Sequence, residues 1–514
     1  MTAHWEKWRT RGALPPGVDS SRIGTGIAKR LGAPTLFFAL LLVGSSLGDA
    51  HCQCSGIATT PAAAARCAGR YDPLDREAAL DPAHVYSLAE LIDVAERSNP
   101  QTHLAWEEAK QAAERLGVAR SAYFPVLSGL AAAGDQRTIE PFTKPLAPRG
   151  YVMVEAPAIV PKLRLDYLIF DFGRRGASVD AANAATLAEG ATFIRVNQEV
   201  AFRVATAYYN LLTAQARLTA AEQTLKTAQT TQDAAEAQLE NGRATLPDVL
   251  NAKAETAQAR FDLESAIGDE QVARVALTET VGAEPSPDIR IDDQAKTPLP
   301  EAFTQSIDEL IHRAIEERPD LMAKQAEIQE ADEHVRAAKS EYLPTICLSA
   351  SGAQTSLWPT TDYGTLAPVS EPTWSAQIGI KWRLFDGGAR KQELAAARSE
   401  SREGRDGLRG ETDDVIREVW AGYIGFRTAL RQHQAAQELL EAAGSSWSSS
   451  LDAYKYGVEN LVDVLSAERQ LARARLSAVS ARSQLFEQAV DLEFVTGNLL
   501  RKQESATRAE GANP

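Results

Sequence analysis

The sequence predicts a mainly α-helical fold with a smaller membrane β component, assembled as a tandem duplication. Three observations predict it. Gly388 to Leu500 is a stretch of more than a hundred residues without proline, carrying a heptad seam and broken at one turn, Tyr456-Gly457. The same stretch occurs earlier at an offset of 215. Each copy is preceded by a segment in which apolar residues recur with period two rather than the helical period.

The seam is read on the return arm. Val464, Leu471, Ala478, Leu485, Leu492 and Leu499 lie at sevenfold spacing, with Ala467, Ala474, Ala481, Gln488 and Val495 three residues on. Alanine at so many seam positions lets helices approach closely and favours the helix itself. The expected arms are about 80 to 100 Å long at 1.5 Å per residue. In the earlier copy Val204, Leu211, Leu218 and Leu225 run beside Ala207, Ala214, Ala221, Ala228 and Ala235. Asn241-Gly242 corresponds to Tyr456-Gly457, and Pro247-Asp248-Val249-Leu250 to Val462-Asp463-Val464-Leu465.

In chain order, residues 1–50 read as a secretory signal peptide. The apolar run Leu36 to Val43 follows Lys29-Arg30 and precedes Gly48-Asp49-Ala50, and it is too short to span a bilayer. Six Lys and Arg against three acids give this leader +3, so the whole-chain charge of -15 becomes about -18 without it. That balance argues against a nucleic-acid partner. Residues 51–84 form a tether containing Cys52, Cys54 and Cys67. An exported chain permits a disulfide from Cys67 to Cys52 or Cys54. Cys52 is also a candidate for lipid attachment, although Asp49 and His51 are poor neighbours for that cleavage.

The first repeat is placed at 85–282, a linker at 283–303, the second repeat at 304–500 and a polar tail at 501–514. Each repeat opens with a short amphipathic helix, at Ser87-Leu88-Ala89-Glu90-Leu91 and Ser306-Ile307-Asp308-Glu309-Leu310. Breaks at Asn99-Pro100 and Arg318-Pro319 start a second helix, since proline suits the first helical turn. That helix ends near Tyr123-Phe124-Pro125 and Tyr342-Leu343-Pro344.

Strand hairpins follow, near 125–170 and 344–385. Trp374, Ala376, Ile378, Ile380, Trp382 and Leu384 would face outward, with Ser375, Gln377, Gly379, Lys381 and Arg383 on the other side. The first repeat opposes Leu163, Leu165, Tyr167 and Ile169 to Lys162, Arg164 and Asp166. Partner strands are expected near Val126 to Gly134 and Thr345 to Ala353, with loops at Ile139 to Pro148 and Trp358 to Pro372. Such strands suffice to cross a membrane when tilted. Four cannot close a barrel alone, and open edges are not tolerated in lipid, so several chains must pool strands. Phe170-Asp171-Phe172-Gly173 and Phe385-Asp386-Gly387-Gly388 mark strand-to-helix corners, with Asp171 and Asp386 as caps and Gly173 and Gly388 permitting the bend. Helical hairpins then occupy 174–282 and 388–500.

This order of elements, with Tyr-x-Pro and Phe-Asp-x-Gly corners in both halves, resembles the TolC-like outer-membrane efflux family over about residues 85 to 500. The resemblance implies a homotrimer with a twelve-stranded barrel in outer-membrane lipid and a helical tunnel through the periplasm. It implies a periplasmic adaptor and an inner-membrane pump as partners, no cofactor, and a passive exit duct for drugs, toxic small molecules or secreted proteins. The alternative is a soluble periplasmic coiled-coil scaffold, which accounts for the heptads but leaves the Trp374 to Leu384 alternation unexplained.

By the same resemblance the hairpin turns are periplasmic tips that meet the adaptor: Gly242, Arg243, Ala244 and Thr245, with Gly457, Val458, Glu459 and Asn460. Asp463, and by repeat symmetry Asp248, are candidates for a carboxylate ring at the entrance. Thr245 and Asn460, three residues before them, have capping spacing, so helix capping competes with that role and can coexist with it. Some relatives carry a second aspartate where this chain has Ser466 and an arginine where it has Glu459, so a gate built on that pairing is not carried over. Trp374 and Trp382 are candidates for anchors at the lipid interface. His433 falls on a helix seam, the histidines and cysteines lack metal-ligand spacing, and no constellation for catalysis is present.

Overall fold

The computed structural model describes residues 80–141, 143–144, 147–292 and 306–497. The leader, most of the tether with Cys52, Cys54 and Cys67, much of the linker and the polar tail lie outside the described residues. Cys347 is a free thiol on the fifth strand.

The two halves are built from matching parts. The first contains β1 (Val85–Tyr86), α1 (Leu88–Ser98), α2 (Pro100–Ser121), β2 (Val126–Pro141), β3 (Tyr151–Phe170), α3 (Arg174–Glu240), α4 (Leu246–Val281) and β4 (Arg290–Ile291). The second contains α5 (Ile307–Glu317), α6 (Pro319–Ser340), β5 (Thr345–Leu357), a small hairpin β6 (Thr360–Thr361) and β7 (Gly364–Thr365), β8 (Val369–Lys381), α7 (Ala389–Lys455) and α8 (Leu461–Val495). The outgoing helices α3 and α7 have 67 residues each, about 100 Å of rise. The return helices have only 36 and 35 residues, so they reach about half the expected length.

What completes them is a second helix stacked on each end. At the tip end α8 packs between α3 and α7; toward the sheet α6 takes over that position. In the same way α2 follows α4 along α3. The junctions are chemically distinct. In the first, Asn99 Oδ1 accepts from Gln101 N at 2.9 Å while its amide donates to Thr280 O at 2.9 Å, and Ser98 Oγ donates to Val281 O. One side chain therefore caps the start of α2 and a free carbonyl at the end of α4. Gly282 ends α4 at φ 88°, and a Cβ there would lie 2.8 Å from Ser98 O. In the second junction Arg318 replaces the asparagine, reaching Val495 O at 3.4 Å.

Tight packing along α7 and α8 follows the seam. Val464, Leu485 and Leu492 are fully buried, and Ala474 and Ala481 are buried beside them. A Cβ at Gly425 on α7 would meet the end of the Gln488 side chain, which would have to shift to admit it. On α3 the two rows of the heptad reading part: Val204 and Leu211 are buried but Leu218 and Leu225 only partly, while Ala214, Ala228 and Ala235 of the companion row are buried, joined by Thr227, Thr231 and Gln238. A straight helix turns about 20° per heptad away from a sevenfold row, which carries the leucine row out of the seam. Two clusters, one joining α1 to α3 and α4 and one joining α5 to α7 and α8, brace the stalk near its middle.

The long strands order as β2-β3-β5-β8, all antiparallel, with β3 and β5 joining the two hairpins. β2 and β8 are left as edges. β3 starts at Tyr151, well before the Lys162 start of the sequence-derived alternation, and it does so despite Pro157 and Pro161. Those prolines cannot donate to a ladder, and the pairing with β5 lapses between Ile159 and Lys162. β2 likewise continues to Pro141 and β8 begins at Val369, so the expected loops at Ile139 to Pro148 and Trp358 to Pro372 are partly strand. The strands have 16, 20, 13 and 13 residues, each enough to cross a bilayer. Among the described residues no helix is long and apolar enough to do so.

Candidate functional site: the hairpin tips and the strand corners

The tips are closed by the same device in both halves. After α3, Gly242 takes φ 71° and the N–H groups of Arg243 and Ala244 return to Gln238 O. After α7, Gly457 takes φ 77° and the N–H groups of Val458 and Glu459 return to Ala453 O. A left-handed residue at these points satisfies helix-end carbonyls, which is why glycine stands there. Gln238 ties the two tips together by donating to Lys455 O at 2.8 Å. Beneath it Val249, Leu451, Tyr454, Leu461 and Val464 form a small buried core. Tyr456, Val458, Val462 and Leu246 remain exposed around it.

The two aspartates differ. Asp248 Oδ2 accepts from Thr245 N at 2.9 Å and from Thr245 Oγ1 at 2.6 Å. The Thr245 hydroxyl, then the backbone N–H, hold its carboxyl below the usual carboxylate range. Asp463 uses only its backbone N–H, which donates to Asn460 Oδ1 at 3.0 Å. Its carboxylate is exposed and without a partner among the described residues. Asp248 is thus committed to capping, whereas Asp463 leaves its charge free at the tip. Nearby, Arg469 on α8 pairs with Glu255 on α4, Nε to Oε1 at 3.0 Å. This bridge between the two hairpins was not singled out in the sequence, because partners 214 residues apart leave no local pattern.

At the opposite end the corners hold strands to helices. Gly173 and Gly388 are themselves the cap residues, at φ 93° and 90°, so the caps do not fall on Asp171 and Asp386. Those carboxylates instead accept from the N–H groups of Arg175 and Arg390 two residues into each helix. Each arginine also pairs with its aspartate through the side chain and lies over the tyrosine of the preceding Tyr-x-Pro corner, Arg175 over Tyr123 and Arg390 over Tyr342. Arg175 Nη1 further donates to Leu168 O at 2.7 Å. Neither arginine was among the expected corner residues; their signal in the sequence is arginine four residues after aspartate in both halves.

Of the outward set, Trp374, Ile378 and Ile380 on β8, and Trp382 and Leu384 beyond its end at Lys381, are exposed in the single chain. Trp382 Nε1 donates to Tyr342 O at 3.1 Å, which fixes it at the membrane-strand end near the corner. Arg164 and Asp166, of the other face of β3, pair with each other at 2.7 Å. A sheet with one apolar and one charged face, edges unpaired, set on a 100 Å helical stalk, is the protomer of an outer-membrane channel-tunnel.

The chain belongs to the outer membrane efflux protein family, whose model matches residues 91–283 and 310–498. It is 27% identical over 417 residues to protein CyaE of Bordetella pertussis, covering 81% of this chain and 85% of the relative. It is 22% identical over 390 residues to outer membrane efflux protein BepC of Brucella suis, covering 76% and 80%. Among solved structures, the outer membrane protein VceC of Vibrio cholerae superposes with a TM-score of 0.64 at 22% identity, covering 80% of this chain and 96% of VceC. The protein is therefore an exit duct: four strands per chain pool into a trimeric twelve-stranded barrel in the outer membrane, and the helices project into the periplasm. Members of the family are channels that work with adaptors and inner-membrane pumps, and the family is not one of enzymes.

Proposed function

We propose that the tips form the selective periplasmic entrance of this duct and the surface that meets its adaptor. Asp463 would contribute one free carboxylate per chain, so three chains would place a ring of negative charge at the mouth. The contrast with Asp248, whose carboxylate is held against Thr245 as a helix cap, is the observation that carries this reading. Exposed Tyr456, Val458, Val462 and Leu246 around the turns supply an apolar contact surface for the adaptor, with Gly242 to Thr245 and Gly457 to Asn460 at its apex. Cargo of the duct would be drugs, toxic small molecules or proteins, chosen chiefly by the pump.

The test is ion selectivity of single channels in planar bilayers. Asp463→Ala should lower cation preference and weaken block by multivalent cations, while Asp248→Ala should change selectivity less. Unchanged selectivity in Asp463→Ala would remove that residue from the entrance.

A further inference from the structure

A cleft of about 690 Å³ lies where α3, α7 and α8 meet, between the tips and the brace at mid-stalk. It is within the usual volume of small-molecule sites. Its lining divides by chemistry. Tyr209, Phe486 and Leu440 make one apolar part, while Arg475 and Arg482 bring two guanidinium groups, and no carboxylate lines the cleft.

Arg475 is only partly exposed and uses Nη1 on the hydroxyls of Thr227 and Thr224, with no carboxylate in ion-pair range among the described residues. His433, 5% exposed, stands at the floor. The Gln437 amide nitrogen lies 3.0 Å from its Nε2; donation from that amide puts the ring proton on Nδ1. Nδ1 has no hydrogen-bond partner. Burial, with the charge of Arg482 adding to it, pushes this imidazole's pKa below its ordinary value. The cleft thus presents positive charge and an apolar body, in the wall rather than at the tips.

We propose that this cleft binds one amphipathic organic monocarboxylate per chain. The carboxylate sits toward Arg475 and Arg482, and the aryl or acyl body lies against Tyr209 and Phe486. Its occupant bridges α3, α7 and α8, so binding fastens the two halves of the chain together. The inference is independent of what the duct carries.

The test uses the full-length trimer in lipid nanodiscs, titrated by calorimetry with 2-naphthoate and with the uncharged 2-naphthamide, empty nanodiscs serving as the partition blank. Naphthoate should bind saturably at one per chain, with the amide at least about tenfold weaker, the scale of one hydrogen bond to a charged group. Arg475→Gln should weaken naphthoate about tenfold and leave the amide unchanged. Leu440→Trp, which fills the cleft, should abolish both. Absence of saturable binding, or equal affinity for the acid and the amide, overturns the proposal. The wild-type comparison decides even if a variant fails to assemble.

Discussion

Arg318 Nη1 donates to Glu418 Oε2 at 2.6 Å from a side chain that is only 2% exposed, and through this bond the start of α6 is anchored to the middle of α7. The same guanidinium pairs with Asp320 at 2.5 Å and reaches Val495 O at the end of α8. One buried cation thus fixes three helices at the point where a broken column must behave as a continuous one.

Arg318→Met leaves Asp320 with only the longer pairing to Arg195 at 3.7 Å, and should destabilise the chain by up to about 3 kcal/mol. Burial opposes the charge of Asp320, but the hydrogen bonds and charge of Arg318 outweigh it and hold the carboxyl below its ordinary value. A depressed carboxyl stabilises above its unfolded pKa of about 4 and loses that contribution as pH falls through the folded value. Chemical unfolding of the wild type should therefore weaken below about pH 4, and Arg318→Met should flatten that part of the profile. A stability difference that does not change with pH in this range would contradict the assignment to Asp320.

Two glycines with similar backbones should differ in their tolerance of a methyl group. Gly282 has φ 88° and a Cβ there would meet Ser98 O at 2.8 Å and Asn99 Cα at 3.0 Å. Gly242 has φ 71° and open space. Gly242→Ala should cost about 1 to 2 kcal/mol from the left-handed conformation alone. Gly282→Ala adds a backbone clash and should cost more, read as the larger drop in denaturation midpoint.

Lysine substitution separates the faces of β8. At Ile378, on the apolar side, it should cost about 2 to 4 kcal/mol if the site is near the bilayer midplane. At Gln377, on the polar side, it should be tolerated and should shift ion selectivity. Refolding yield into lipid vesicles and channel selectivity measure the two effects, and equal penalties would mean that the faces are not distinguished by lipid.

The Arg469–Glu255 bridge predicts a tip phenotype with little loss of stability. The arginine side chain is 56% exposed, so Arg469→Ala should cost less than about 1 kcal/mol. Because it links α8 to α4 across the two hairpins, its loss should loosen them and raise single-channel conductance. An unaltered conductance would show that the hairpins are held by packing and by Gln238 alone.

Periodicity and repetition determined a great deal. Seam residues such as Val464 and Leu485, the helix starts at Pro100 and Pro319, the turns at Gly242 and Gly457, and the apolar face of β8 are local patterns, and local patterns survive in a linear string. The family resemblance added the trimer, barrel and duct. Tertiary structure decided what depends on partners remote in sequence. It extended β3 through Pro157 and Pro161 because a neighbouring strand tolerates the missing donors, and it shortened the return arms because α2 and α6 take over their positions. It made Arg318 a buried junction residue, revealed Arg175 and Arg390 as corner clamps, and separated the committed carboxylate of Asp248 from the free one of Asp463. Burial, pairing and residual charge arise only when distant segments meet, and no spacing rule along the chain contains them.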